Sequence, residues 1–151
     1  MNNIANGFFY KLNSLYLDNN SITSLGIKYL IKAVFINNLI ILSLSDNKKI
    51  GDTGIKFMKE HKGWEKLSIL NIDRTRITDL ALDYLCKSSM PRLKKLYIRD
   101  NKFTEMAKAN INALRMNHIW VYYKNEKEED NENQKLEELF LKDYQIDEID
   151  V

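Results

Sequence analysis

The pattern Leu-x-x-Leu-x-Leu, followed by an Asn-centred turn and an isolated Ile or Phe, returns four times along this chain at intervals of 26 to 28 residues. It reads first as Leu12, Leu15, Leu17, Asn20 and Ile22, then as Leu39, Leu42, Leu44, Asn47 and Ile50. The third copy is Leu67, Leu70, Ile72, Thr75 and Ile77, and the fourth is Leu93, Leu96, Ile98, Asn101 and Phe103. Such a period marks a solenoid, because one short unit cannot bury its own apolar face and stacked units share a continuous core. It also sets a rule for reading function: a residue that the repeat requires is scaffold before it is anything else.

Within each copy the apolar residues alternate with polar or amphipathic ones, as in Leu15-Tyr16-Leu17 and Leu96-Tyr97-Ile98, which predicts a short strand buried on one face. Each strand is expected to pair in parallel with its counterpart in the next copy. Asn20, Asn47 and Asn101 then sit where the chain turns inward, and a side-chain amide there can satisfy backbone groups of adjacent turns. Thr75 offers a single hydroxyl in that place, which predicts the weakest of the turns. Past the turn the period becomes helical: Gly26, Leu30 and Ala33 follow Ile22, Gly54 and Met58 follow Ile50, Ala81 and Leu85 follow Ile77, and Ala107 and Ile111 follow Phe103. A small residue four places after each Ile or Phe implies a helix lying close to the sheet. Ile119-Trp120-Val121 supplies a fifth strand pattern that closes the sheet.

These residues resemble the leucine-rich repeats. Asn20-x-Ile22-x-x-x-Gly26-x-x-x-Leu30-x-x-Ala33 is similar to the long, ribonuclease-inhibitor-like class, and Ile50-Gly51-Asp52-Thr53-Gly54 and Ile77-Thr78-Asp79-Leu80-Ala81 resemble repeats of F-box substrate adaptors. The resemblance covers roughly residues 12–123 and implies a right-handed α/β solenoid with a parallel sheet on the concave face and helices on the convex face. Around it the chain divides into an N-terminal cap (1–11), the repeat domain (12–123, four full repeats and a terminal strand), a charged linker (124–134) and an acidic amphipathic segment (135–151).

The family commonly binds partners on its concave sheet. In this chain the outward strand positions are Ser14, Tyr16 and Asp18; Ile41, Ser43 and Ser45; Ile69, Asn71 and Asp73; Lys95, Tyr97 and Arg99; and His118, Trp120 and Tyr122. Tyr97, Arg99, Trp120 and Tyr122 stand out, since Tyr, Trp and Arg dominate interface hot spots, and Ile41 and Ile69 would extend them with an apolar strip. Three readings stay open for Trp120 and Tyr122: a binding surface, a cap on the open end of the core, or a place beneath the C-terminal tail. Tyr16 joins the candidate set on the same face. So do Leu136, Leu139 and Phe140, whose helical spacing among acids marks a docking segment.

Charge is divided unevenly. Residues 1–124 hold 20 Lys+Arg against 10 Asp+Glu, whereas residues 125–151 hold 3 against 11, so the formal net charge of +2 conceals a dipolar chain. Lys48, Lys49, Arg76 and Lys102 occupy equivalent turn positions and are expected to line one edge as a basic ridge, a candidate contact for phosphates or an acidic protein.

Catalysis and metals find no motif. The single Cys86 and the two histidines, His61 and His118, form no cluster with metal-ligand spacing, and no P-loop or nucleophile motif occurs. No apolar run approaches the roughly 20 residues that span a bilayer, and Met1-Asn2-Asn3-Ile4 lacks a basic region and a long apolar stretch. The expectation is a non-enzymatic protein-binding module without cofactor, intracellular and cytoplasmic by default, and a small scaffolding subunit of a heteromeric complex. Two other classes stay open. Ran GTPase-activating proteins look similar in pairing such repeats with an acidic tail, which implies a regulator of a GTPase, the F-box resemblance implies one of a ubiquitin-ligase type complex, and the basic edge points to an RNA-associated subunit.

Overall fold

The computed structural model describes residues 11–124. The cap, the linker and the acidic segment with Leu136, Leu139 and Phe140 therefore lie outside the described residues, apart from the cap's last residue and the linker's first. Five strands, β1 (Ser14–Tyr16), β2 (Ile41–Ser43), β3 (Ile69–Asn71), β4 (Lys95–Tyr97) and β5 (Trp120–Tyr122), form one sheet in sequence order. Every neighbouring pair is parallel. Helices α1 (Ser24–Leu30), α2 (Gly51–Glu60), α3 (Asp79–Cys86) and α4 (Ala107–Met116) alternate with the strands, and a 3₁₀ turn (Ile36–Asn38) precedes β2. This is the α/β solenoid that the repeat implies.

The central residues Leu42, Leu70, Leu96 and Val121 stack in register and are fully buried, while Leu15 at the first strand is half-buried. Below them lie Ile27, Ile55 and Leu82, each one position after a small residue, together with Leu30, Met58, Leu85, Ile111 and Leu114. At Gly54 a Cβ would meet the Ile50 Cγ2 at 2.5 Å and the Ile27 Cγ1 at 3.5 Å, so the residue at the start of α2 and the neighbouring helix, not the sheet, leave no room for a larger side chain there. Phe35, Trp64 and Met90, three or four residues ahead of the next strand's first Leu, fill the corners where each helix returns to the sheet. Thr23 and Thr78 start α1 and α3 by accepting hydrogen bonds from Gly26 N and Leu80 N.

The turn ladder differs from expectation at two points. Asn47 fulfils it completely: its Oδ1 accepts from Asn20 N and Ile22 N, and its Nδ2 donates to Leu17, Leu44 and Ser45 carbonyls. Asn101 does the same for the third repeat, accepting from Thr75 N and Ile77 N and donating to Ile72, Ile98 and Arg99. Each amide thus reaches back to the preceding repeat. Asn20 has no described repeat before it; its side chain is exposed and, among the described residues, donates to Asp18 O alone. At Thr75 the hydroxyl donates to Ile72 O, and the turn it would have served, lengthened by the Lys48-Lys49 pair, closes on itself through Ile50 N to Asn47 O, with Gly51 N donating to the Thr75 carbonyl. The missing amide and the longer turn therefore belong together.

His61, at the end of α2, carries a testable pH dependence. Its Nε2 is buried without a hydrogen-bond partner, its ring meets Trp64 edge-on at 5.5 Å, and burial pushes its pKa below the ordinary 6.5. The unfolded chain then binds more protons than the folded one as pH falls through 6.5 and below, so His61 lowers stability toward acid. Urea midpoints of wild type and His61→Gln should diverge between about pH 7 and pH 5, with the variant showing the shallower decline; equal slopes would dismiss the effect.

Candidate protein-binding face

Residues on either side of a buried central Leu point to the opposite face of the sheet. Register groups them into two rows. Ser14, Ile41, Ile69, Lys95 and Trp120 form one, and Tyr16, Ser43, Asn71, Tyr97 and Tyr122 the other. Trp120 therefore lines up with Lys95 and the two isoleucines, with Tyr122 beside Tyr97.

The two tyrosines stack, with ring centroids 4.5 Å apart and planes inclined by 9°. The Arg99 guanidinium lies 5.6 Å from the Tyr97 centroid and 5.4 Å from that of Tyr122, within cation–π range of both. Tyr97, Arg99, Trp120 and Tyr122 are all half-buried, so they are neither core nor freely projecting. Ile41 and Ile69 are adjacent and half-buried, and the exposed Lys95 separates them from Trp120. Tyr16, 63% exposed, stands apart: Ser43 and Asn71 lie between it and Tyr97 in the row. Lys48, Lys49, Arg76 and Lys102 are exposed on the turns, away from these rows, and Lys49 and Lys102 form parallel bridges with Thr23 and Thr78.

Several outward positions serve the scaffold instead. Asp18 Oδ1 accepts from Ser43 Oγ at 2.5 Å and from Ser45 N at 2.8 Å, tying the first repeat to the second. Asp73 Oδ1 accepts from Arg99 N at 2.6 Å, tying the third to the fourth. Burial pushes the Asp73 carboxyl above the usual carboxylate range, while that N–H and the charges of Arg99 and Arg74 oppose the shift. Asp52 holds Thr78, and Asp79 holds Thr104, each carboxylate accepting from the threonine N–H and hydroxyl. Arg74, at φ +53°, reaches Asp46 at 2.9 Å and Asp100 at 3.4 Å. The signal for these ties was present as an acid two residues after Ile50 and Ile77, and as Asp18 and Asp73 at alternate repeats.

Asp73→Ala leaves the Arg99 N–H without its acceptor and should cost about 1–2 kcal/mol. Asp73→Asn keeps an acceptor and removes a charge that burial disfavours, so its melting temperature should match or exceed wild type. A melt in which Asn is as damaging as Ala would show that the negative charge itself holds the repeats together.

Cys86 offers no activated thiol: burial and Asp83 push its pKa up, and its Sγ lies 3.6 Å from Asn110 O. Among the described residues no group of three or more His, Cys, Asp or Glu is placed to hold a metal, and no helix is long and apolar enough to cross a membrane.

The family model described as "Leucine Rich repeat" matches residues 36–58, the stretch that contains β2 and most of α2. No curated protein matches the chain. Among solved structures it is similar to "Leiomodin-1 Actin-Binding Site 2 (ABS2)", with 15% sequence identity, 88% of this chain and 86% of that chain covered, and a TM-score of 0.55. That likeness is one of fold. Four copies of the repeat, a parallel sheet in sequence order and amide ladders at the turns, together with the family match over one copy, give the described residues the fold of a leucine-rich-repeat solenoid built of β/α units.

Proposed function

We propose that the chain is a non-enzymatic module that binds another protein through the concave sheet face at its C-terminal end, as a small scaffolding subunit of a larger assembly. Leucine-rich repeats are generic protein-interaction modules, and the observation that carries the reading here is the Tyr97–Tyr122 stack with Arg99 over both rings. The repeat does not need these side chains: Tyr16, Ser43 and Asn71 fill the same row elsewhere. A stacked aromatic pair with a guanidinium beside it offers rigid apolar area and donors together, the chemistry of interface hot spots. Trp120 extends it, and Ile41 and Ile69 form the apolar margin across Lys95. Tyr16 is a peripheral contact. The leiomodin-1 domain is named an actin-binding site, which makes actin one protein to include in the trial.

Affinity purification with mass spectrometry should recover a partner with wild type and lose it with Tyr97→Ala, Tyr122→Ala or Arg99→Ala, while circular dichroism stays unchanged. Truncating a hot spot costs about 2 kcal/mol or more, a loss of roughly 30-fold in affinity. Unfolding of the variants would assign the cluster to the core and end the reading.

The basic edge supports a second reading, contact with RNA or an acidic protein. Lys48, Lys49, Arg76 and Lys102 are exposed on three successive turns, with no carboxylate paired to them among the described residues. Filter binding that weakens steeply with salt and disappears when all four are replaced would support the RNA form.

A further inference from the structure

We infer that the edge of the solenoid where each helix returns to the sheet is a docking surface for an anionic lipid bilayer. This edge is neither the concave face nor the turn edge that carries Lys48, Lys49, Arg76 and Lys102, and neither reading above involves it.

Charge singles it out. The returns are residues 31–40, 61–68, 87–94 and 117–119, and they hold six basic residues, Lys32, Lys62, Lys66, Lys87, Arg92 and Lys94, against one acid, Glu65. All six are exposed. The turns on the opposite edge, residues 17–23, 44–50, 72–78 and 98–106, hold six against five. Where α2 ends, Glu60 adds one acid to the return edge and Lys59 one base. Lys87 is paired with Asp83 at 2.7 Å, and the Lys66 Nζ donates to the neutral Asn38 Oδ1 at 2.9 Å, which leaves its charge uncompensated. Lys32, Lys62, Arg92 and Lys94 form no ion pair among the described residues.

Geometry concentrates that charge. Ser68 N donates to Ile40 O and Lys94 N to Ser68 O, each at 2.8 Å, so successive returns lie side by side. Their spacing there is that of the strands, about 4.8 Å, which is shorter than the roughly 8 Å over which physiological salt screens a charge. The potentials of neighbouring returns therefore add.

The apolar side chains of the edge set the kind of partner. Val34 and Ile40 on the first return, and Met116 where α4 ends, are exposed. The Lys66–Asn38 bond brings that ammonium onto the first return, beside them in the chain. Phe35 and Trp64 are fully buried, so the returns present no Phe, Tyr or Trp ring on which a nucleic-acid base could stack. All the cations but Arg92 are lysines, which are depleted at protein interfaces and lack the planar fork of arginine. Flexible point charges with exposed aliphatic groups among them suit a diffuse anionic surface with hydrocarbon beneath it.

The experiment is sedimentation of the full chain with vesicles of phosphatidylcholine alone, and of phosphatidylcholine and phosphatidylserine in equal parts. The chain is expected to sediment with the mixed vesicles, far less with phosphatidylcholine, and less as salt rises. Each cation near such a surface strengthens binding about fivefold, so Lys62→Gln, Arg92→Gln and Lys94→Gln together should weaken it about 100-fold. The same charge change on the other edge, Lys48→Gln, Lys49→Gln and Lys102→Gln, should weaken it less than about fivefold, because screening keeps that edge from the lipid. Ile40→Ser with Met116→Ser leaves the charge untouched and should weaken it about fivefold or more. The indole N–H signal of Trp64, a buried ring bonded to Met58 O, reports that each variant is folded. Equal losses from the two edges would reduce the effect to net charge and overturn the proposal. Vesicle binding that survives the loss of Ile40 and Met116 would also overturn it. So would binding to an RNA oligonucleotide with none to the mixed vesicles, which would make the edge a contact for nucleic-acid phosphates.

Discussion

Replacing Asn47 by alanine is expected to remove about 3–5 kcal/mol of folding stability, a large part of the roughly 5–15 kcal/mol that a domain possesses. The side chain is fully buried, and its amide serves five backbone groups in two repeats. Alanine leaves Asn20 N, Ile22 N and the Leu17 and Leu44 carbonyls without the partner the amide supplied, whereas Ser45 O keeps its bond from Asn19 N. Each buried group so orphaned costs about 1–3 kcal/mol, reduced where the turn relaxes toward water. Asn101→Ala should be less damaging, because its ladder is only half-buried, and Asn20→Ala should be close to neutral. Urea unfolding of the three variants tests the order directly. Equal losses for Asn20 and Asn47 would show that the amides act through the turn's intrinsic preference and not through the ladder.

Trp64→Ala is expected to cost a similar amount, about 3–5 kcal/mol, by a different route. Trp64 is 1% exposed, fills the corner between α2 and β3, and donates its Nε1–H to Met58 O at 2.9 Å. Removing the indole empties a space that α2 and β3 cannot both close, because β3 is held by hydrogen bonds to strands on either side. The Met58 carbonyl keeps only the longer bond from His61 N, at 3.3 Å. Trp64→Phe should restore most of the packing and none of the indole hydrogen bond, falling between the two. A loss below about 1 kcal/mol for alanine would mean that the corner collapses onto the gap.

The fold was legible in the sequence because the repeat is dense. Leu42, Leu70 and Leu96 recur at intervals of 28 and 26 residues, and each is fully buried at the centre of its strand. Trp64 and Phe35 were not placed, since they lie in the irregular return from helix to strand, where neither the period of two nor that of 3.6 applies. On the candidate face the outward alternation was correct for Tyr97, Trp120 and Tyr122, and the pairing of Trp120 with Lys95 emerges only from register. Asp18, Ser43, Ser45 and Asp73 alternate outward too, yet their polar atoms turn along the sheet to the next repeat. Strand periodicity gives the side of a residue and is silent about its partner 25 to 27 positions away.

The backward reach of the turn amides gives the array a grain. Asn47 fastens the second repeat to the first and Asn101 the fourth to the third, but at the junction of the second and third Thr75 passes no side-chain amide back. That seam is held by the sheet, by Gly51 N on the Thr75 carbonyl, by Asp52 on Thr78 and by Arg74 on Asp46 and Ser45. The middle seam is thus the junction among the described repeats that no buried side-chain amide crosses, and it rests on carboxylate and backbone bonds in its place.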